Sequence, residues 1–290
     1  MTEVIVTGAN GLIGSVFCDQ LASSYNFCKL DISNPTKPVD ITKADSIEEA
    51  LKGSDAHFLV HFAAFTNVTA AWEQTDDVDG SAYQVNVVGT QNLVEICNQH
   101  QLHLIQISTA YVFDGEKPTP YSELDPINPI EWYGKTKALA EAVVQEKAEH
   151  WTILRIDQPF RPDRFTKLDL VHKIADDLRA RTLSGQFTDH FVGPTWIPDF
   201  VKVIDWVLRT SQTGLFHASS GEQWSNFELA KQIQQIIGST TQIQSSLLNE
   251  YLQSHNRPYQ KNTALSTKKL IAQLDFELTP VVQALAQTQF

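Results

Sequence analysis

Tyr133 and Lys137 stand four positions apart in the run Tyr133-Gly134-Lys135-Thr136-Lys137. On a helix that spacing sets both side chains on one face. A free phenol has a pKa of about 10 and is mostly protonated at neutral pH. A lysine cation one turn away favours phenolate and is expected to lower that value by roughly one to three pKa units. Tyr133 would then give a proton to a carbonyl oxygen, or take one from an alcohol, near pH 7. A second hydroxyl comes from Ser108-Thr109-Ala110-Tyr111, which follows the apolar run 102–107. At the end of a strand it would hydrogen-bond the substrate oxygen and hold it against Tyr133. Thr109 is the first candidate and Ser108 its competitor; strand-end capping is the plain alternative.

Redox use of such a phenol needs a hydride carrier, and the N-terminal residues provide for one. Thr7-Gly8-Ala9-Asn10-Gly11-Leu12-Ile13-Gly14 follows the apolar run 4–6 and opens a stretch with Leu12, Ile13, Val16, Phe17 and Leu21 near helical spacing. Gly8 suits a tight turn, Gly11 lets the backbone approach a pyrophosphate, and Gly14 lets helix and strand pack closely. The helix start adds unpaired N–H groups and a positive dipole end for phosphates. Gly8, Asn10, Gly11, Leu12, Ile13 and Gly14 are therefore the expected dinucleotide cradle. Asp31 ends the next apolar run, 23 residues after Gly8, where an acid binds the adenosine ribose hydroxyls. A carboxylate there repels a 2′-phosphate, so NAD(H) is favoured; Lys29 and Lys37 keep NADP(H) open. Asp40 and Ile41, after a third short extended run, are candidates to bracket the adenine. Ala63 and Ala64, after the run 57–62, would let the cofactor pass close to the backbone. Lys137 would hold the nicotinamide ribose. His57 and His61 read as packing residues and the other histidines are scattered, so no metal site is expected.

These groups need a frame that gathers them at one edge. Apolar runs at 4–6, 27–30, 57–62, 102–107 and 151–156 alternate with helical patterns at 12–21, 44–51, 85–97 and 129–149. Each parallel return requires a crossover helix, so the alternation predicts an α/β fold: a doubly wound (Rossmann) parallel sheet over residues 1–156. Pro159 and Pro162 then break the rhythm. Residues 157–290, with helical patterns at 168–183, 198–208 and 226–237, read mainly as a smaller substrate-binding lobe packed closely on the first. The exposed faces of the helices around 85–97 and 129–148 are candidate homodimer surfaces.

Composition narrows the partners. Against 22 Lys and Arg stand 34 Asp and Glu, so the formal net charge of −12 offers no field for nucleic acid or an anionic membrane. One phosphorylated small molecule needs only local donors and stays compatible. Three unpaired cysteines fit a reducing compartment. The first residues lack a basic, signal-like segment and no run approaches about 18 apolar residues, so a cytoplasmic protein is expected.

The motifs TGANGLIG (7–14), HFAAFTNV (61–68), VNVVGTQNL (85–93), STAYVFDG (108–115) and YGKTK (133–137), in this order, resemble the extended short-chain dehydrogenase/reductases. Among these the chain is most similar to dTDP-4-dehydrorhamnose reductases and related sugar-nucleotide reductases. VGPTWIPD (192–199) and RPYQKNTALSTKKL (257–270) extend the likeness, more faintly, through the C-terminal part. The resemblance implies a Thr109–Tyr133–Lys137 triad. It implies hydride transfer between nicotinamide C4 and C4 of a hexose carried on a nucleoside diphosphate. It also puts Asn86 near the active site. Two departures bear on the substrate. Ala110 stands where these reductases commonly carry Asp. Arg155-Ile156-Asp157-Gln158-Pro159-Phe160-Arg161-Pro162-Asp163-Arg164 replaces their usual R-T-S-W-V-Y-like run. Arg161 and Arg164 either meet a diphosphate or are surface charges. Two other functions use such a chain: a sugar-nucleotide epimerase that retains its NAD, and a nucleotide-binding regulatory subunit such as the methionine adenosyltransferase β-subunit. A 4,6-dehydratase fits poorly, because Ala110 and Tyr111 occupy the places of its acid and base.

Overall fold

The computed structural model describes residues 1–290. Its centre is a sheet of six strands: β1 (Thr2–Thr7), β2 (Tyr25–Leu30), β3 (Phe58–His61), β4 (His103–Thr109), β5 (Trp151–Ile156) and β6 (Gly214–His217). They lie in the order β6-β5-β4-β3-β1-β2, and every pair is parallel. From β1 the chain first goes outward to β2, then returns to place β3 on the other side. The order therefore reverses between β1 and β3, which opens a crevice at the carboxyl ends of these strands.

Alternation along the strands builds two apolar layers. Val4 and Val6 of β1 and Val60 of β3 enter a layer with Phe17 of helix α1 (Gly14–Gln20). Ile5 and Leu59 point the other way, onto Ile47 of α2 (Ala44–Leu51), Leu93 and Ile96 of α3 (Gly89–Gln99) and Val144 of α4 (Trp132–Lys147). Both faces are covered, so a central strand must be buried throughout; all seven residues of β4 are.

Two features differ from the sequence expectation. The third extended run, before Asp40, forms no strand. Pro38 has no N–H to offer a ladder, and the Val39 N–H is spent on the Asp31 carbonyl at 3.1 Å. The division at residues 156 and 157 is also crossed. Beyond α5 (Leu170–Ala180), α6 (Ile197–Thr210) returns to the first apolar layer through Phe200, Val203, Ile204 and Val207, and β6 pairs with β5. What remains of the C-terminal part has its own core. Phe160, Val171, Ile174 and Leu178 pack there on Leu229 and Ile233 of α7 (Asn226–Ile237) and on Val281 and Leu285. No helix is long and apolar enough to cross a membrane.

Candidate active site

The glycine turn is shaped by backbone contact. Gly8 has φ +66°, and a Cβ there would lie 2.6 Å from the Ala63 nitrogen. A Cβ on Gly14 would lie 2.3 Å from the Gly8 carbonyl oxygen. The turn therefore presses against both the end of β3 and the start of α1, as close packing at such a corner demands. Asp31 is drawn onto it: the Asn10 N–H donates to Asp31 Oδ2 at 2.9 Å, and Ser33 donates to Oδ1 through its N–H and hydroxyl at 2.9 and 2.7 Å. Asn10, Gly11, Leu12 and Ile13 line the same corner, and Ala63 and Ala64 follow β3 beside it. Asp40 lies differently. Burial works against its charge, but hydrogen bonds from Thr42 prevail and hold its carboxyl below the usual range. Ile41 is buried against Gly89, with its carbonyl taken by Asn92 at 2.9 Å.

The end of β4 separates its two hydroxyls. Ser108 donates to the buried Glu141 carboxylate and points away from the crevice. Glu141 pairs bidentately with Arg155 at 2.9 and 2.6 Å, both side chains buried. Thr109 instead accepts the Tyr111 N–H at 3.2 Å and interacts with Tyr133. Thr109, not Ser108, is thus the hydroxyl beside Tyr133, because successive strand residues face opposite ways. Glu131 caps α4 by accepting the N–H groups of Tyr133 and Gly134 at 2.7 and 2.6 Å. A Cβ on Gly134 would lie 2.2 Å from the Tyr111 carbonyl oxygen, so this glycine lets the turn after β4 sit directly on α4. Asn86 lies in a π-helical turn (Gln84–Val88) before α3. It bonds both backbone groups of Phe65, at 2.8 and 3.2 Å, and the Thr136 hydroxyl at 3.0 Å, tying the segment after β3 to α4.

Lys137 is buried and donates to the Ile107 carbonyl at 2.8 Å. Burial lowers its pKa to about 8, against the opposing charge of Glu141. It makes no hydrogen bond to Tyr133, whose pKa is raised rather than lowered. Desolvation of the phenol dominates, Thr109 partly offsets it, and Glu131 and Asp157 add to it. The expected acidification by Lys137 is therefore not found. The shared helix face is correct, but the ammonium reaches back to β4 and burial outweighs charge. His61 packs as expected, 2.7 Å from the Thr7 hydroxyl, with its pKa lowered to about 3 by burial and by Lys137. His57 is exposed instead.

Sequence reasoning missed three groups. Asp157, just past β5, is buried with its pKa raised to about 7 by desolvation. Its Oδ2 accepts from Gly193 N–H at 2.8 Å and the Thr263 hydroxyl at 2.6 Å, while Oδ1 has no partner. Glu131 is likewise raised to about 7 by burial, against the N–H groups it caps. Arg257 partly opposes the burial that raises Glu131 and Tyr111, lies 3.7 Å from the Tyr259 ring centre, and has a buried Nη1 without a partner. Only the odd Asp in the run 155–164 signalled any of these. Of the two arginines in that run, Arg164 forms a half-exposed pair with Asp176, whereas Arg161 is buried.

Comparison with known proteins gives the family and the fold. The model of the RmlD substrate binding domain matches residues 1–289. A dTDP-4-dehydrorhamnose reductase of Aggregatibacter actinomycetemcomitans is 30% identical over 243 residues, which is 79% of this chain and 78% of that protein. Methionine adenosyltransferase 2 subunit beta of Rattus norvegicus is 29% identical over 239 residues, 79% of this chain and 70% of that one. The crystal structure of dTDP-4-dehydrorhamnose reductase from Bacillus anthracis, in complex with NADP, superposes with a TM-score of 0.88 at 25% identity over 98% of each chain. With a family match over nearly its whole length and a six-stranded parallel sheet in the matching order, this chain belongs to the RmlD substrate-binding-domain family and has the extended short-chain dehydrogenase/reductase fold.

Proposed function

We propose that this protein reduces a 4-keto sugar nucleotide with a reduced nicotinamide dinucleotide. The observation that carries the reading is that Thr109, at the end of β4, meets Tyr133 of α4, while Lys137 one turn along the same helix is buried against β4. The turn fits a dinucleotide. Its glycines leave no side chain in the corner, and the Asp31 carboxylate is held at its rim, where it suits ribose hydroxyls. Gly8, Asn10, Gly11, Leu12, Ile13 and Gly14 would cradle the diphosphate, Ala63 and Ala64 would flank it, and Asp40 and Ile41 would border the adenine. Asp31 favours NAD(H), with NADP(H) accepted less well.

When bound, the reduced nicotinamide supplies the hydride. The chain supplies the proton and the position. Thr109 and Tyr133 hydrogen-bond the keto oxygen, and Tyr133 donates its phenolic proton as the oxygen gains charge. A phenol with a raised pKa is fully protonated at neutral pH, the form that reduction requires. Lys137, one turn along α4 and buried at the end of β4, would hold the nicotinamide ribose once the cofactor is bound. Arg257, with a guanidinium nitrogen unspent, would meet the phosphates of the sugar nucleotide.

The test is a panel of 4-keto sugar nucleotides mixed with protein and reduced cofactor. One substrate should be converted to an alcohol two hydrogens heavier, with one cofactor oxidised per product. Failure of every substrate, together with altered activity of a partner enzyme, would favour the regulatory reading suggested by the methionine adenosyltransferase relative.

A further inference from the structure

The segment 161–167 crosses the crevice and touches both of its rims. On one rim, Arg161 Nη1 donates to the Ser15 hydroxyl at 3.0 Å and to the Leu12 carbonyl at 3.4 Å. Ser15 in turn donates to the Gly11 carbonyl at 2.8 Å, so the guanidinium is linked to the middle glycine of the turn. On the other rim, Lys167 Nζ donates to the Thr66 hydroxyl at 2.6 Å, just beyond Ala63 and Ala64. Gly8 and Ala63 are in backbone contact, so these rims bound one narrow crevice.

The two cations are in different states. Arg161 is held inside the protein. Its Nε and Nη2 hold Asp163 at 2.8 and 2.9 Å, its plane lies over the Phe165 ring at 4.6 Å, and its backbone N–H reaches Asp169 at 3.3 Å. With four of its five guanidinium N–H groups spent inside the protein, it is an anchor. Lys167 is exposed at the mouth of the crevice, and its one partner is the neutral Thr66 hydroxyl. Its ammonium has three donors and spends one on a neutral partner, so two are free to turn to an anion in the crevice.

We propose that residues 161–167 form a strap across the cofactor crevice, pinned to the glycine turn by Arg161, in which Lys167 supplies the counter-charge to the diphosphate of the dinucleotide. This rests on the dinucleotide reading above. It means that the C-terminal part of the chain contributes directly to holding the cofactor. The cation comes from outside the glycine motif, which itself carries no basic side chain.

Fluorescence titration of the intact protein tests it, using NADH, NADPH, ADP, adenosine and dTDP as separate probes. Lys167→Met should weaken NADH, NADPH and ADP about tenfold each, as expected for one partly exposed charge-assisted hydrogen bond. Adenosine and dTDP should bind as to the wild type, Lys167→Arg should recover most of the loss, and Tm should not move. Equal losses for adenosine would make Lys167 structural, and a loss confined to dTDP would give its charge to the substrate; either overturns the strap. Unchanged NADH and ADP affinity overturns it while leaving the dinucleotide reading intact. A wild-type protein that binds no dinucleotide overturns both.

Discussion

Replacing Asp157 by Asn isolates one buried charge. The carboxyl sits among apolar and neutral groups, and desolvation lifts its pKa from 3.8 to about 7, against hydrogen bonds from Thr263, Gly193 and Gln158. A group whose folded pKa lies above its unfolded one favours the folded state at low pH and loses that contribution as pH rises. Here the loss runs between about pH 4 and pH 7. A rise of about three pKa units, at 1.36 kcal/mol each, amounts to about 4 kcal/mol between pH 4 and pH 8. Asn keeps the geometry: its carbonyl oxygen can accept from Gly193 and Thr263, and its NH2 takes the place of the partnerless Oδ1. Urea unfolding of both proteins across this pH range gives the difference in stability at each pH. Other titrating groups, Glu131 included, are common to both and cancel. Asp157→Asn should gain about 4 kcal/mol relative to the wild type from pH 4 to pH 8. A difference that stays flat with pH would refute a buried, proton-binding Asp157.

Four further outcomes follow from the same geometry. Tyr133→Phe should lower turnover by about 10²–10⁴ while cofactor affinity, measured by titration, stays near the wild type. Turnover in the reducing direction should fall as pH rises through about 8, where Lys137 gives up its proton, and Lys137→Arg should move that limb upward in a pH–rate profile. Asp31→Ala should shift the ratio of NADPH to NADH affinity about tenfold toward NADPH; an unchanged ratio would remove Asp31 from the ribose. Gly134→Ala would place a methyl 2.2 Å from the Tyr111 carbonyl, forcing the turn after β4 off α4. Displacing Thr109 from Tyr133 by about 1 Å should lower kcat about a hundredfold, with cofactor affinity nearly unchanged.

What was legible in the sequence was local. The glycine spacing and the four-residue step from Tyr133 to Lys137 are properties of one turn or one helix face, and the structure has both. Helix patterns over 44–51 and 226–237 match α2 and α7 because the apolar period is clear in both; at α7 the caps agree as well, for Ser225 and Glu228 form a capping box and Gly238 ends the helix at φ +65°. Pairings between distant segments were not legible. The Arg155–Glu141 ion pair, the clasp of Asp157 on Gly193 and Thr263, and the reach of Arg161 to Ser15 each join residues that only the fold brings together. The return of β6 to the sheet escaped for a related reason: Gly214–His217 is four residues long, too short for a clear period. The error over Tyr133 came from weighing charge without burial, which cannot be read from a spacing.

Hydride transfer to the sugar is most directly followed with reduced cofactor carrying deuterium at the transferable position of nicotinamide C4. Incubated with its keto sugar nucleotide, the protein should move one deuterium to sugar C4, and Tyr133→Phe should slow that transfer without changing where the label goes. Label that stays in the cofactor while substrate is converted, or that appears at any other carbon, would contradict the account.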